Sequence, residues 1–458
     1  MSGGPARPVR PSAGWPDSAQ ADADRALAQL AGPGATRRLF VPGRIEVLGK
    51  HTDYAGGRSV TCAAERGFAV AWRPRGDARL RVVDAGDGRR ADFPIAATIQ
   101  PPVGHWTNYP MTVARRLARN FGALDRGADV AFCNTLPRSA GLSTSSALVA
   151  AIFLVLAEAN ELAGRAGFAA AIPDGCGLAG YLGAIENGRP FGPLDGDAGV
   201  GTSGGSEAHT AIRLGKPGHL CCYSYHPVVR HRAVALDPGL VFVVAASGIA
   251  ASKTGAARGR YNRAADLVAE IVAVAEEGSQ AQAGREGAPA PGRTRQPTLA
   301  DIIDASPGAL AGLRARLPAA RSRFAPAELA RRLEHFVIED RRILPPALEA
   351  LARGRLQTFG RLVDRSQRAA EDLLGNQVPE TITLARLARQ LGAHAASSFG
   401  AGFGGSVWAL TGAADAAGFA DRWMEAYAGR HPAAAARATA FVTRPGAGAL
   451  HAAWAGRA

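Results

Sequence analysis

The sequence predicts an α+β fold in two halves. A chain of 458 residues is longer than one compact core usually holds. Strand-like and helix-like segments also interleave without the strict strand–helix–strand rhythm of a parallel sheet. The halves join near residues 226–240, giving a tail over 1–36, a first domain over 37–235 and a second over 236–458.

Taken in order, Met1 to Ala21 is rich in Gly, Pro, Ser and Arg, so the tail is expected to be partly disordered. Asp22 to Ala31 reads as a short helix stopped by Gly32-Pro33-Gly34. Arg38–Val41 and Ile45–Leu48 read as strands meeting at Pro42-Gly43-Arg44, and Gly67–Trp72 and Ala78–Val83 continue the β pattern. Met111–Asn120 is helical in pattern, Ala128–Phe132 a strand, and Ala147–Leu162 a strongly apolar helix. His219–Tyr225 and Leu240–Ala246 are strand-like. From Glu276 to Pro297 the composition turns to Gly, Ala, Pro, Gln and Arg, which predicts a flexible surface insertion over 276–297. Helical patterns fill Ala327–Leu344, Leu356–Leu374 and Glu380–Leu391, and Ser406–Leu410 closes as a strand.

The net charge is +14, yet of 53 basic residues only Lys50, Lys216 and Lys253 are lysines. The arginines are spread along the chain rather than gathered in one block, so no nucleic-acid partner is expected. A basic surface still favours anionic substrates. The five cysteines, Cys62, Cys133, Cys176, Cys221 and Cys222, form no CxxC pair and read as buried reduced thiols. The N-terminus lacks the apolar core of a secretion signal, and no stretch nears the roughly 18 apolar residues of a membrane span. A cytoplasmic protein without membrane contact is expected.

Three glycine-bearing segments carry chemistry. In Gly43-Arg-Ile-Glu-Val-Leu-Gly49-Lys-His-Thr-Asp-Tyr-Ala-Gly56-Gly57, a strand ends in a polar cluster with His51, Asp53 and Tyr54 beside two glycines. It could present a carboxylate and an imidazole to sugar hydroxyls, or be a polar turn whose Asp takes local backbone bonds. In Leu136-Pro-Arg-Ser-Ala-Gly141-Leu-Ser-Thr-Ser-Ser146, a Gly/Ser loop runs straight into the apolar helix. Its backbone N–H groups and the helix dipole suit a phosphate, while a serine N-cap is the plain alternative. In Ser398-Phe-Gly-Ala-Gly402-Phe-Gly-Gly405, closely spaced glycines indicate tight turns or close backbone approach before a strand.

Together and in this order, the three segments resemble the signature motifs of the GHMP kinases, and the first closely resembles the galactokinase signature. The likeness runs from about residue 37 to about 445, through Trp106-Thr-Asn-Tyr109 and Tyr261-Asn-Arg263. It implies an N-terminal α/β domain like ribosomal protein S5, a ferredoxin-like C-terminal domain and an active site between them. It implies a monomeric enzyme that uses ATP and Mg²⁺ to phosphorylate a monosaccharide hydroxyl, the anomeric one of galactose or a related sugar. The ATP loop then comprises Pro137, Gly141, Leu142, Ser143, Thr144, Ser145 and Ser146, with Gly402 and Gly404 from the third segment. Ser145 and Glu186 would hold the metal. Arg44 would be catalytic, and Lys50, His51, Asp53 and Tyr261 would bind the sugar.

Two departures stand out. The family's Gly-x-Met-Asp-Gln, whose Asp is the catalytic base, corresponds to Gly201-Thr-Ser-Gly-Gly-Ser-Glu207-Ala208-His209. Ala208, which cannot accept a proton, falls opposite the Asp, and Glu207 does so with a one-residue slip; Glu207 or His209 could reach the same place, and Glu207 is taken as the candidate catalytic base. The family's Gly-Glu-His-Thr-Asp becomes Gly49-Lys-His-Thr-Asp53, and its earlier Asn becomes Glu46. A lysine donates where a glutamate accepts, which makes a uronic acid an alternative substrate. Loss of the base would instead leave a sugar and nucleotide sensor.

Overall fold

A single long strand organises the first half. The computed structural model describes residues 17–449 except 123, 138–139, 252–255 and 287–295, with no side chains described at 256–258 and 278–286. Among the described residues, β1 (Arg37–Leu48), β2 (Arg58–Pro74), β3 (Arg79–Asp84), β4 (Arg90–Pro94), β5 (Ala128–Asn134), β6 (His219–Ser224) and β7 (Val229–Ala235) form one sheet. Its order is β4-β3-β5-β2-β6-β7, and β1 lies along β2 as well. The length of β2 lets it pair with β6 through Arg58–Thr61, with β5 through Phe68–Pro74, and with β1 along most of its course.

The two strands expected around Pro42-Gly43-Arg44 prove to be one. β1 runs straight through, with a register irregularity between Pro42 and Arg44. Proline cannot donate to a ladder, and a Cβ on Gly43 would meet the Leu136 side chain at 2.7 Å. Glycine and proline here mark a bulge in a continuous strand. Bulges re-aim the side chains that follow, which here are Arg44 and Glu46.

The apolar helix starts at Thr144 and ends at Ala159. Buried on nearly every side, it packs against β1 and the helices Asn108–Phe121 and Gly175–Asn187. The helix expected in the tail is longer than its sequence pattern suggests, Asp17–Ala31. Ala19, Ala23 and Leu27 recur every four residues on its buried face, and Ala23 and Leu27 pack with Ala71, Val83 and Ala131 of the sheet. The expected disorder of the tail is thus not found from Asp17 onward, and residues 1–16 lie outside the described residues.

The second half carries β8 (Leu240–Ala246), β9 (Ala395–Phe399), β10 (Ser406–Gly412) and β11 (Thr439–Thr443), antiparallel in the order β11-β8-β10-β9. With helices between β8 and β9 and between β10 and β11, this is a ferredoxin-like arrangement. One face of the sheet, Val241, Val243, Val407 and Ala409, packs under the helices Pro379–Gln390 and Ala416–Ala428. The alternate residues Phe242, Val244, Trp408 and Leu410 join the core of the first half. Trp408 Nε1 donates to the Glu46 carbonyl at 3.1 Å, fastening the second sheet to β1.

The expected insertion is partly helical: the helix Ala256–Glu286 continues through its first residues. Ala, Glu, Gln and Arg there are good helix formers and outweigh the scattered glycines. The rest, 287–295, lies outside the described residues. The helical pattern over Ala327–Leu344 resolves into the helix Pro326–Phe336 and a wider π-helical segment, Val337–Ile343. Among the described residues no helix is long and apolar enough to cross a membrane.

Candidate active site

The three glycine-bearing loops meet at one cavity between the halves. On one side lies the start of the helix Thr144–Ala159. Ser143 precedes it in the left-handed region (φ 61°) and makes no side-chain cap, and its buried Oγ has no hydrogen-bond partner. The plain N-cap alternative is therefore not what is built; the helix N-terminus stays open to an anion. Glu186, from the helix Gly175–Asn187, accepts from Ser145 Oγ at 3.1 Å and Ser146 Oγ at 2.7 Å. His209 Nε2 lies 3.0 Å from Glu186 Oε2 but off the hydrogen-bonding angle. Both ring nitrogens of this buried histidine thus lack a hydrogen-bond partner.

The third loop leans on the second. A Cβ on Gly400 would meet the Gly141 carbonyl oxygen at 2.9 Å, so only glycine allows the two backbones this approach. Gly400 and Ala401 line the cavity. The Ala401 carbonyl also contacts His51 Nε2 at 3.2 Å.

The opposite side is built on β1 and the turn after it. Arg44 bonds the phosphate-side loop through its backbone, N to the Leu142 carbonyl at 3.1 Å, and through Nη1 to the Gly141 carbonyl at 3.3 Å. Its Nε lies 3.1 Å from Glu207 Oε1, an ion-pair distance without hydrogen-bond alignment. Asp53 Oδ2 accepts from the Glu207 backbone N at 3.3 Å, and a Cβ on Gly205 would fall 2.3 Å from that oxygen. His51 Nδ1 contacts Tyr54 Oη at 2.8 Å, and its ring centre is 5.7 Å from that of Tyr261. Two asparagines brace the strip that carries Glu207. Asn187 Oδ1 accepts from Gly204 N at 2.8 Å, and Asn262 Oδ1 accepts from Ser203 N at 3.0 Å.

Burial dominates the electrostatics. It pushes the Glu207 carboxyl well above the usual carboxylate range; Glu46 adds to the rise and Arg44 opposes it. Glu46 is raised as well, by burial first, with Arg44 and Lys50 opposing. Tyr54 is pushed up to about 12 by burial, against Arg332.

Family models match in three places: GHMP kinases N terminal domain over 108–170, GHMP kinases C terminal over 347–429, and the galactokinase galactose-binding signature over 33–74. The chain belongs to the GHMP kinase superfamily. It is an ATP-dependent small-molecule kinase with a galactokinase-like signature segment. It is 29% identical to a galactokinase of Roseiflexus sp. (strain RS-1) over 88% of this chain and 90% of that one. In fold it is similar to Lactococcus lactis galactokinase complexed with galactose, with a TM-score of 0.72, 20% identity, and 93% and 98% of the two chains covered. Methanococcus jannaschii mevalonate kinase shares the fold more loosely, with a TM-score of 0.51, 12% identity, and 90% and 99% covered.

Of the residues singled out in this GHMP kinase, Arg44, His51, Asp53, Ser146, Glu186, Glu207 and Tyr261 line the cavity. Ser145 reaches it through Glu186. Lys50 does not face it. β1 ends at Leu48, and Gly49 turns the chain at φ 95°, so Lys50 leaves the face that carries Arg44 and Glu46. The Lys50 ammonium is buried and donates to Ser366 Oγ at 2.9 Å. Gly402 and Gly404 also stand away from the cavity. Their missing Cβ atoms make room for the Asn376 and Ile249 carbonyls, at 2.3 and 2.6 Å, so that loop meets the cavity only through Gly400 and Ala401. Leu142 is buried and contributes its carbonyl, while Pro137, Gly141 and Thr144 shape the loop without lining the cavity. Residues 138–139 of that loop lie outside the described residues. Ala208 lines the cavity beside Glu207, and only the glutamate reaches Arg44.

Sequence reasoning missed Arg332 and Glu339. Buried Arg332 donates to the His51 carbonyl and, at 3.2 Å, to Tyr54 Oη. Glu339 Oε1 accepts the backbone N–H groups of Gly49 and Lys50 at 2.8 and 3.3 Å. Nothing local in the sequence points to either, since each acts on residues more than 270 positions away. The asparagines after Glu186 and Tyr261 carry a fainter signal, because both stand inside the segments that resemble the family.

Proposed function

We propose that this kinase transfers the ATP γ-phosphoryl group to a hydroxyl, the anomeric one, of galactose or a closely related neutral monosaccharide. One observation carries the reading. A buried carboxylate, Glu207, stands at 3.1 Å from Arg44, in the same cavity as the Ser145–Glu186 pair and the open helix N-terminus.

In this reading the phosphates bind along Gly141–Ser146, where free backbone N–H groups and the helix dipole favour negative charge. Glu186, with Ser145 as partner, suits Mg²⁺: a hard divalent ion takes one or two carboxylates, a hydroxyl and phosphate oxygens. When bound, that ion neutralises charge on the transferring group. The sugar lies against His51, Asp53 and Tyr261. Arg44 draws the acceptor hydroxyl toward the phosphate, and Glu207 takes its proton as the sugar oxygen bonds to phosphorus. Most of the acceleration in such transfers comes from positioning and charge stabilisation, so a glutamate one residue before the family's aspartate is enough.

A uronic acid substrate needs a cation turned toward the sugar, and Lys50 is spent on Ser366 instead. The decisive experiment measures ADP release with Mg-ATP across neutral and acidic monosaccharides. Galactose-dependent turnover supports the proposal. Sugar binding without turnover would indicate a sensor, and a preference for galacturonate would overturn the neutral-sugar assignment.

A further inference from the structure

We infer that Glu46 and Glu207 act as one proton-sharing carboxyl pair on Arg44, with Glu46 as the positioning residue that makes Glu207 a stronger proton acceptor. The inference rests on the kinase reading above.

Glu46 lies two residues after Arg44 on β1, so both side chains project to one face of the strand. Both line the cavity, and Glu207 comes to meet them from the start of the helix Glu207–Leu214. Glu46 and Glu207 are each 4% exposed. Glu46 adds negative charge beside the Glu207 carboxyl, and Arg44 Nε lies 3.1 Å from Glu207 Oε1. Two ionised carboxylates only accept and repel each other, so burying both in one cavity favours a proton on one of them.

The charges around the pair favour holding that proton. Arg44 is the cation that both carboxyls act on, 3.1 Å from Glu207. Asp53, from the turn after β1, adds negative charge to both. Glu339, from the π-helical segment, adds more at Glu46, and Lys50 opposes it while bonded to Ser366. Tyr225 and Tyr261 are neutral neighbours, both raised well above the ordinary phenol by burial. One shared proton makes the two carboxyls and Arg44 neutral together; without it a net negative charge is buried beside Asp53. Two carboxyls crowded in this way titrate as a pair, with one proton held far above the usual range.

The catalytic consequence follows from Brønsted behaviour. A carboxylate whose proton affinity is raised toward the operating pH is a better general base than an ordinary one. When the shared proton has left, Glu207 accepts the hydroxyl proton: the sugar O–H bond breaks, a Glu207 O–H bond forms, the sugar oxygen bonds to the γ-phosphorus and ADP leaves. Activity therefore rises with pH through the raised titration of the pair.

The test compares the pH profiles of kcat/KM for wild type and Glu46→Gln, with galactose and saturating Mg-ATP. Glu46→Asn serves as a second neutral variant, and thermal melts verify folding. Removing the like charge should move the acid limb down by about one unit or more. It should also lower the high-pH plateau several-fold, because the remaining base is weaker. A lower plateau with an unmoved acid limb would overturn the pairing and leave Glu46 a merely structural role. Infrared titration without substrate gives a second, activity-free readout. A protonated-carboxyl band present near neutral pH in wild type should disappear in both Glu46→Gln and Glu207→Gln. If no sugar supports turnover in any variant, the kinase reading fails, while the infrared band still decides whether the proton is shared.

Discussion

The two sides of the cavity are built in different ways. On the phosphate side the working parts are local: Gly141 to Ser146 form one loop and helix start, and Glu186 reaches it from a neighbouring helix of the same half. On the proton side the parts come from distant places. Arg44 and Glu46 sit on β1, Glu207 on a later helix, and Arg332 and Glu339 reach in from the second half. The phosphate side keeps its residue types because a phosphate and its ion demand the same donors whatever the acceptor. The proton side has exchanged its charges. A lysine stands at 50 where the family pattern has an acceptor, a glutamate at 46 where it has an amide, and Ala208, preceded by Glu207, where it has the aspartate. Of these positions Glu46 and Glu207 line the cavity with Arg44, while the Lys50 ammonium turns away to Ser366.

That contrast is broken most severely on the phosphate side. Glu186→Ala removes the carboxylate that gathers Ser145, Ser146 and His209, and with it the main anionic contact for a divalent ion. Metal stabilisation of a transferring phosphoryl group is worth several kcal/mol, on the order of 10³-fold in rate. Turnover should fall by at least that much, and Mn²⁺ binding followed by electron paramagnetic resonance should weaken in parallel. Normal turnover across a magnesium titration would remove Glu186 from the metal site.

The next largest effect lies at the base. Glu207→Gln keeps the shape and loses the proton acceptor. General-base catalysis contributes about 10²–10⁴-fold, and phosphoryl transfer belongs near the lower end because charge stabilisation carries most of it. Turnover should drop by roughly 10²-fold with KM for the sugar little changed. Ala208→Asp in that background places a carboxylate one residue on. Recovery of the rate would show that the position matters more than the residue, and an undiminished Glu207→Gln enzyme would mean that another group accepts the proton.

How much of this could be read from the chain follows the same division. The glycine loops were legible because their glycines answer local needs. Gly141 and Gly400 hold positive φ, and their backbones approach too closely for any side chain between them. The apolar helix after Ser143 and the ferredoxin-like succession of strands were legible from periodicity. The proton side was legible in composition and not in direction. Pro42-Gly43 signals a hairpin as readily as a bulge, and only the pairing with β2 decides for one continuous strand. Glu46 was visible as an oddity, but it shares its cavity with Glu207, 161 residues further along the sequence. Residues 276–286 hold both helix formers and breakers, and the formers prevailed.

The smallest effect on catalysis is expected at Lys50, where the sequence pattern pointed most directly to substrate choice. If residue 50 continued the strand, it would share a face with Glu46 and meet the sugar. Gly49 prevents this: at φ 95°, with a Cβ that would fall 2.4 Å from the Ser59 Cα, it turns the chain before Lys50 can. The ammonium instead donates to Ser366 Oγ, which itself donates to Glu339 Oε1 at 2.9 Å, all three side chains being buried. Lys50→Met keeps the length of the stem and removes the charge. Leaving Ser366 and the Glu339 carboxylate without it should cost about 1–3 kcal/mol, the usual penalty for a buried polar group that loses a partner. The thermal midpoint should therefore fall, and Glu339→Gln in the same chain should restore part of it by removing the uncompensated carboxylate. The ratio of kcat/KM for galactose over galacturonate should stay where it is in wild type. A shift of that ratio toward neutral sugars in Lys50→Met, at a temperature where the variant is fully folded, would put the ammonium back in the sugar site and undo the division between the two sides of the cavity.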